Sequence, residues 1–135
     1  MIPLVIGAIM LFNSGTTDAK QADALIAPAA PSVEQFVQDY FQDYPVLADI
    51  ARCESRFRQF DTDGHVLRGE ITPLDVGVMQ INEGFHKATS EKLGYDIQTV
   101  EGNLAYAKYL YDKEGTKPWN SSAKCWKKSA PIAKK

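Results

Sequence analysis

With 135 residues, 44% of them hydrophobic and 24% charged, the chain fits one globular domain plus tails. A net charge of −2 excludes a global electrostatic case for nucleic acid as partner. A core built from about 90 residues is feasible but marginal, so a covalent staple would help it.

The chain opens with an apolar run, Ile2 to Phe12. It falls short of the roughly 20 apolar residues a spanning helix needs, so no stable membrane span is expected. It resembles the apolar region of a signal peptide but lacks the usual basic start. Ala22-Asp23-Ala24 has the small-x-small form of a cleavage site, placed far downstream. Export to the periplasm, cell wall or exterior is the expectation. The alternative is a non-spanning anchor that is never cleaved. Asn13 to Pro31 is rich in Ala, Thr, Ser and Asp without amphipathic period and reads as linker. Residues 1–31 are therefore set apart from the domain.

Ser32 begins a helix, with Gln35 placed for a capping box. Phe36, Val37, Tyr40, Phe41 and Tyr44 give it a broad apolar face. Pro45 ends that helix and suits the first turn of the next, from about Pro45 to Ser55. Leu47, Ile50 and Ala51 form the inner stripe of this second helix. Glu54 lies seven, four and three residues beyond them, on the same face. A carboxyl on the core side loses solvation, and the negative helix end adds to that, so its pKa is expected to rise. A carboxyl protonated near neutral pH can act as a general acid.

Cys53 and Cys125 are the only cysteines. An even count in an exported chain favours a disulfide, and two buried free thiols are the alternative. No CxxC or Cys/His cluster argues for zinc or redox work, and His65 and His86 lack ligand spacing. Asp61-Thr62-Asp63-Gly64 is close to the start of a calcium loop, but the fifth, sixth and twelfth places hold His65, Val66 and Thr72. No metal or cofactor is expected. Asp63-Gly64 is a hairpin turn signal, with Val66 and Leu67 entering the return strand.

The remaining pattern is helical. Phe85 to Leu93 reads as a short helix closed by Gly94. A longer one, about Val100 to Glu114, is closed by Gly115, with Leu104, Ala107, Leu110 and Tyr111 on its apolar face. No acidic residue follows Glu114, whereas six lysines do, ending in Lys134 and Lys135. Residues 128–135 thus read as a basic tail, either solvated or touching an anionic polymer. The fold class is α+β, mainly α, with a small hairpin between helices.

Glu54-Ser55 with Phe57, followed by Gly77-Val78-Met79-Gln80-Ile81-Asn82, resembles the lysozyme-like superfamily, and most closely the soluble lytic transglycosylases. Their pattern runs E-S-x-F, then G-L-M-Q, then an Asn opening a helix that carries Y-L. Asn103 and Tyr109-Leu110 match the last part. The likeness covers Leu47 to about Leu110. It implies a lysozyme-like fold over residues 32–127 and cleavage of the β-1,4 bond between N-acetylmuramic acid and N-acetylglucosamine in peptidoglycan. It also implies a monomer whose partner is the glycan strand.

By the same resemblance Glu54 is the acid and later the base, and Ser55 orients it or the sugar. Met79, Gln80 and Asn82 line the cleft, and Asn103 supports the site or an N-acetyl group. For Gln80 and Asn82, ordinary hairpin hydrogen bonding is an equal alternative. For Met79, core packing is the favoured alternative.

Two departures bear on the chemistry. The transglycosylases carry a distal A-Y-N-A-G motif whose tyrosine lies near the acid. The corresponding region here reads GTKPWNSSAKCW, with no such tyrosine, and Trp119 is the candidate to wall the cleft. A Trp near a terminal Cys, and a Cys immediately before the catalytic Glu, are similar to the resuscitation-promoting factors. That analogy pairs Cys53 with Cys125. In addition, Asp75-Val76-Gly77-Val78-Met79-Gln80-Ile81-Asn82 is similar to the animal-type lysozyme segment D-Y-G-I-L-Q-I-N. By that match Asp75 faces Glu54 as nucleophile or stabiliser. The alternative is an Asp that caps backbone N–H groups. A lysozyme-type hydrolase is therefore the second functional reading. A glycan-binding module without turnover is the third.

Overall fold

A computed structural model describes residues 28–129. The signal-like run, most of the linker and most of the basic tail fall outside them. The helical unit begins at Pro31. Its elements in chain order are α1 (Val33–Tyr40), α2 (Pro45–Ser55), β1 (Asp75–Val76), β2 (Ile81–Asn82), α3 (Glu83–Lys92), α4 (Val100–Glu114) and α5 (Ala123–Trp126). A 3-10 helix, Lys117–Ser122, leads into α5, and a second, Lys127–Ser129, follows it. The unit is mainly helical with one two-stranded antiparallel sheet, as the sequence pattern implied.

Local chemistry accounts for the helix ends. Ser32 caps α1 by accepting the N–H of Gln35. The Gln35 side-chain amide donates forward to Asp39 (2.8 Å). Pro45 starts α2, where a missing N–H costs nothing. Asn82 and Thr99 cap α3 and α4 through their side chains, and Gly115 at φ +63° ends α4.

The chain forms an antiparallel turn where the Asp63-Gly64 signal put it, and its two named strands pair further on. Gly64 does turn, at φ +83°, but the turn is flanked by a single bridge, Phe60 to Val66, and by no named strands. The backbone pairs across the turn, Asp61 N–H with His65 O (2.8 Å) and Leu67 N–H with Gln59 O (2.9 Å), and the Asp61 carboxylate also accepts the N–H groups of Asp63 (2.9 Å) and His65 (3.0 Å). The named strands pair around Gly77–Gln80, with Asp75 opposite Asn82 and Val76 opposite Ile81.

One core joins these pieces. Val37 and Phe41 of the α1 region meet Leu47, Ile50 and Ala51 of α2, then Val76, Val78, Met79 and Ile81 of the sheet region. Leu104, Ala107 and Leu110 of α4 close it, with Trp119 and Trp126 from the C-terminal segment. The first helix stops at Tyr40, short of the Pro45 expected to end it, so Tyr44 stands at the N-cap of α2; both tyrosines are partly exposed. Tyr44 stacks edge-on with Tyr111 and lies under the Lys108 ammonium. Cys53 and Cys125 form a disulfide, with Cα atoms 6.0 Å apart.

Candidate active site

Three successive residues end α2, two of them tied to the C-terminal segment and one to the sheet turn. Cys53 is bonded to Cys125 of α5. Ser55 Oγ donates to the carbonyl of Val78 at 2.8 Å, and so pins the helix end to the sheet turn. Glu54, between them, accepts a hydrogen bond on Oε1 from the Ser122 hydroxyl at 2.5 Å. The backbone then turns sharply. Arg56 (φ +55°) and Phe57 (φ +59°) both adopt left-handed conformations, each costing on the order of 1–3 kcal/mol. Among the described residues the one other non-glycine at positive φ is Gln80, at +50°. All the non-glycine backbone strain among them therefore flanks one site.

That site is a cleft of about 240 Å³. Glu54, Asp75, Gln80, Asn82 and Trp119 all line it, together with Phe85, His86 and Glu114. Burial pushes the Glu54 carboxyl above its ordinary value, the Ser122 hydrogen bond pulls it down, and the nearby Asp75 charge raises it again. Asp75 Oδ1 accepts from the Asn82 side-chain amide at 2.8 Å. The same Asn82 caps α3 through its oxygen. Gln80 Nε2 donates to Gly77 O at 2.9 Å, a bond within its own turn. For Gln80 and Asn82 the cleft position and the local hydrogen bonding hold together.

The other three sequence candidates are buried and bonded to backbone. Ser55 engages Val78 O, and its oxygen also accepts the N–H of Arg58. Met79 packs in the core; its carbonyl accepts the Trp119 indole N–H at 2.9 Å. Asn103 is fully buried. Its Oδ1 accepts the N–H of Met79, and its Nδ2 donates to Val76 O and Ile97 O. These residues fix the turn that carries Gln80. Trp119 does both jobs, being only 2% exposed and also lining the cleft.

Sequence reasoning missed Gln59, Ser122 and His86. Gln59 is fully buried and accepts the N–H of Val78 at 2.9 Å, while its amide donates to Ile97 O and Gln98 O. Together Gln59 and Asn103 grip Gly77 from two sides. A Cβ there would lie 2.4 Å from Asn103 Nδ2 and 2.6 Å from Gln59 Oε1. Glycine is thus required by contact as well as by its φ of +72°. His86 meets the Tyr106 hydroxyl at 2.9 Å through Nδ1, and burial lowers its pKa. A lone His on a polar helix gives no periodic signal. The close approach at Gly77 did leave one: a glycine set between two core valines.

Chemically, the cleft presents a partly desolvated carboxyl with a hydroxyl donor, a second carboxylate, two side-chain amides and an exposed aromatic ring, Phe85. Such a set can donate a proton, stabilise developing positive charge and hold a polar ligand. No family model, curated protein or solved structure matches the chain.

Proposed function

We propose that the chain is an exported peptidoglycan glycosidase, a lytic transglycosylase in which Glu54 is the general acid and then the base. The observation that carries this is the Glu54 carboxyl: raised in pKa by burial, at the end of a helix held by a disulfide, in a cleft with Asp75. The likeness of E-S-x-F and G-x-M-Q-I-N to the transglycosylases supplies the substrate class. The disulfide agrees with an oxidising compartment. Among the described residues no helix is long and apolar enough to cross a membrane.

In this reading the proton of Glu54 passes to the glycosidic oxygen as the bond from C1 of the muramic acid breaks. Positive charge spreads over C1 and the ring oxygen. The sugar's own C6 hydroxyl then attacks C1 and returns its proton to Glu54. The product is a 1,6-anhydro end, and the enzyme regains its starting state.

A second reading is a lysozyme-type hydrolase, favoured by the presence of Asp75 in the cleft with Glu54. There Asp75 stabilises C1 or bonds to it, and water replaces the C6 hydroxyl. A clearing assay on purified peptidoglycan tests both against a binding module. Clearing by the native chain and none by Glu54→Gln supports an enzyme. Retained wall binding without clearing by the native chain supports the module.

A further inference from the structure

Ser122 is a residue to which the glycosidase reading gives no role. Its oxygen lies 2.5 Å from Glu54 Oε1 and 3.1 Å from the carbonyl of Trp119. A hydroxyl has one proton, and the shorter contact, to a carboxyl oxygen, takes most of it. The segment that carries Ser122 is itself fixed. Trp119 donates its indole N–H to Met79 O, and Trp126 donates its own to Trp119 O at 3.0 Å. Three residues after Ser122, Cys125 is bonded to Cys53, the residue before Glu54. Donor and acceptor are therefore clamped together by a covalent bond one residue from one partner and three from the other.

We propose that Ser122 is a positioning residue of the acid: its hydroxyl holds Glu54 Oε1 and leaves Oε2 as the oxygen that carries the transferable proton. The inference rests on the glycosidase reading of the cleft. When Oε2 loses its proton to the leaving oxygen, negative charge develops on the carboxylate and the Ser122 bond strengthens. An interaction that is stronger in the transition state than in the ground state raises turnover rather than substrate affinity. When Oε2 takes a proton back, the bond to Oε1 persists, so the carboxyl keeps one orientation through both steps. The other ionisable groups of the cleft are Asp75 of β1, His86 of α3 and Glu114 of α4, and Arg52 and Asp49 share α2 with Glu54. None of them is removed by a change at Ser122.

The test compares the full chain with Ser122→Ala and Ser122→Thr on soluble, uncrosslinked peptidoglycan strands across pH. Glu54 must be protonated to act, so its ionisation sets the alkaline limb. Loss of the Ser122 donor disfavours the carboxylate and moves that limb to higher pH. The expected result for Ser122→Ala is a fall in kcat of about tenfold, KM within about twofold, and the shifted limb. Ser122→Thr keeps the hydroxyl and restores both. Unchanged kcat and pH profile in Ser122→Ala overturn the proposal, as does lost activity with the limb in place. A carbon-13 titration of the Glu54 carboxyl separates this from the parent reading. If the native chain cleaves no strands, the glycosidase reading fails. The hold on Glu54 then stands if its midpoint rises in Ser122→Ala, and falls if the midpoint is unchanged.

Discussion

The side-chain oxygen of Asn103 accepts the backbone N–H of Met79 at 2.9 Å, across twenty-four residues of chain. On the other side of the same turn Gln59 accepts the N–H of Val78. Two buried amides thus replace the strand partners that a two-residue sheet cannot provide, and they hold Gln80 at the cleft.

Asn103→Ala should therefore cost far more than a surface change. It leaves the N–H of Met79 without its acceptor, takes a donor from the carbonyl of Val76, and leaves Ile97 O only the longer bond from Gln59 (3.3 Å). At roughly 1–3 kcal/mol for a buried group left unpaired, and with two further bonds removed, the loss should be about 2–3 kcal/mol. Urea unfolding, with an unchanged m-value, checks it. A loss below about 1 kcal/mol would mean the turn is held by other contacts.

Two glycines with similar φ should behave differently when changed to alanine. A Cβ added at Gly64 (φ +83°) has nothing within 4 Å, so Gly64→Ala should cost only the left-handed conformation, about 1–2 kcal/mol. Gly77 (φ +72°) carries the same conformational cost, and its new methyl also meets Asn103 and Gln59. Gly77→Ala should be clearly the less stable of the two in thermal melts, and similar melting temperatures would contradict the grip described here.

Much of this was legible in the sequence. Pro45, Gly115 and the apolar spacing of Leu47, Ile50 and Ala51 set α2 and α4, and the same spacing put Glu54 on the inner face. What was not legible depends on contacts between distant positions. Ser122 reaches Glu54 across sixty-eight residues, and Gln59 reaches Gln98 across thirty-nine. Such side-chain bonds follow no period. The Asp63-Gly64 signal marked a real antiparallel turn, with Phe60 bridging Val66, but gave no sign of the second pairing, at Asp75–Asn82.

The disulfide should contribute strongly to stability. Cys53 and Cys125 are 72 residues apart in sequence, and the chain-entropy model gives roughly 4 kcal/mol for closing such a loop. The paired change Cys53→Ala with Cys125→Ala should lower stability by that order in urea. A loss under about 1 kcal/mol would show that packing of Trp119 and Trp126 alone secures α5.

Stability should also respond to pH through Glu54. Its folded pKa lies above the unfolded value near 4.5, chiefly through burial. Between those two values the folded state holds a proton that the unfolded state has lost, so stability falls as pH rises through that window and stays lower above it. The penalty is absent below the unfolded value. Glu54→Gln should accordingly melt higher than the native chain at neutral pH, and the gap should close as pH falls below about 4.5. A gap that widens on acidification would reverse the sign and contradict the burial of this carboxyl.

The most direct test of the central claim is mass spectrometry of what the full chain releases from purified peptidoglycan, run beside Glu54→Gln. The native chain should release soluble muropeptides with 1,6-anhydro ends, one water lighter than hydrolysis products, and the variant should release none. Hydrated reducing ends would move the chemistry to the hydrolase reading and make Asp75 the next residue to change. No release by the native chain, or equal release by the variant, would contradict the assignment of Glu54 as the acid.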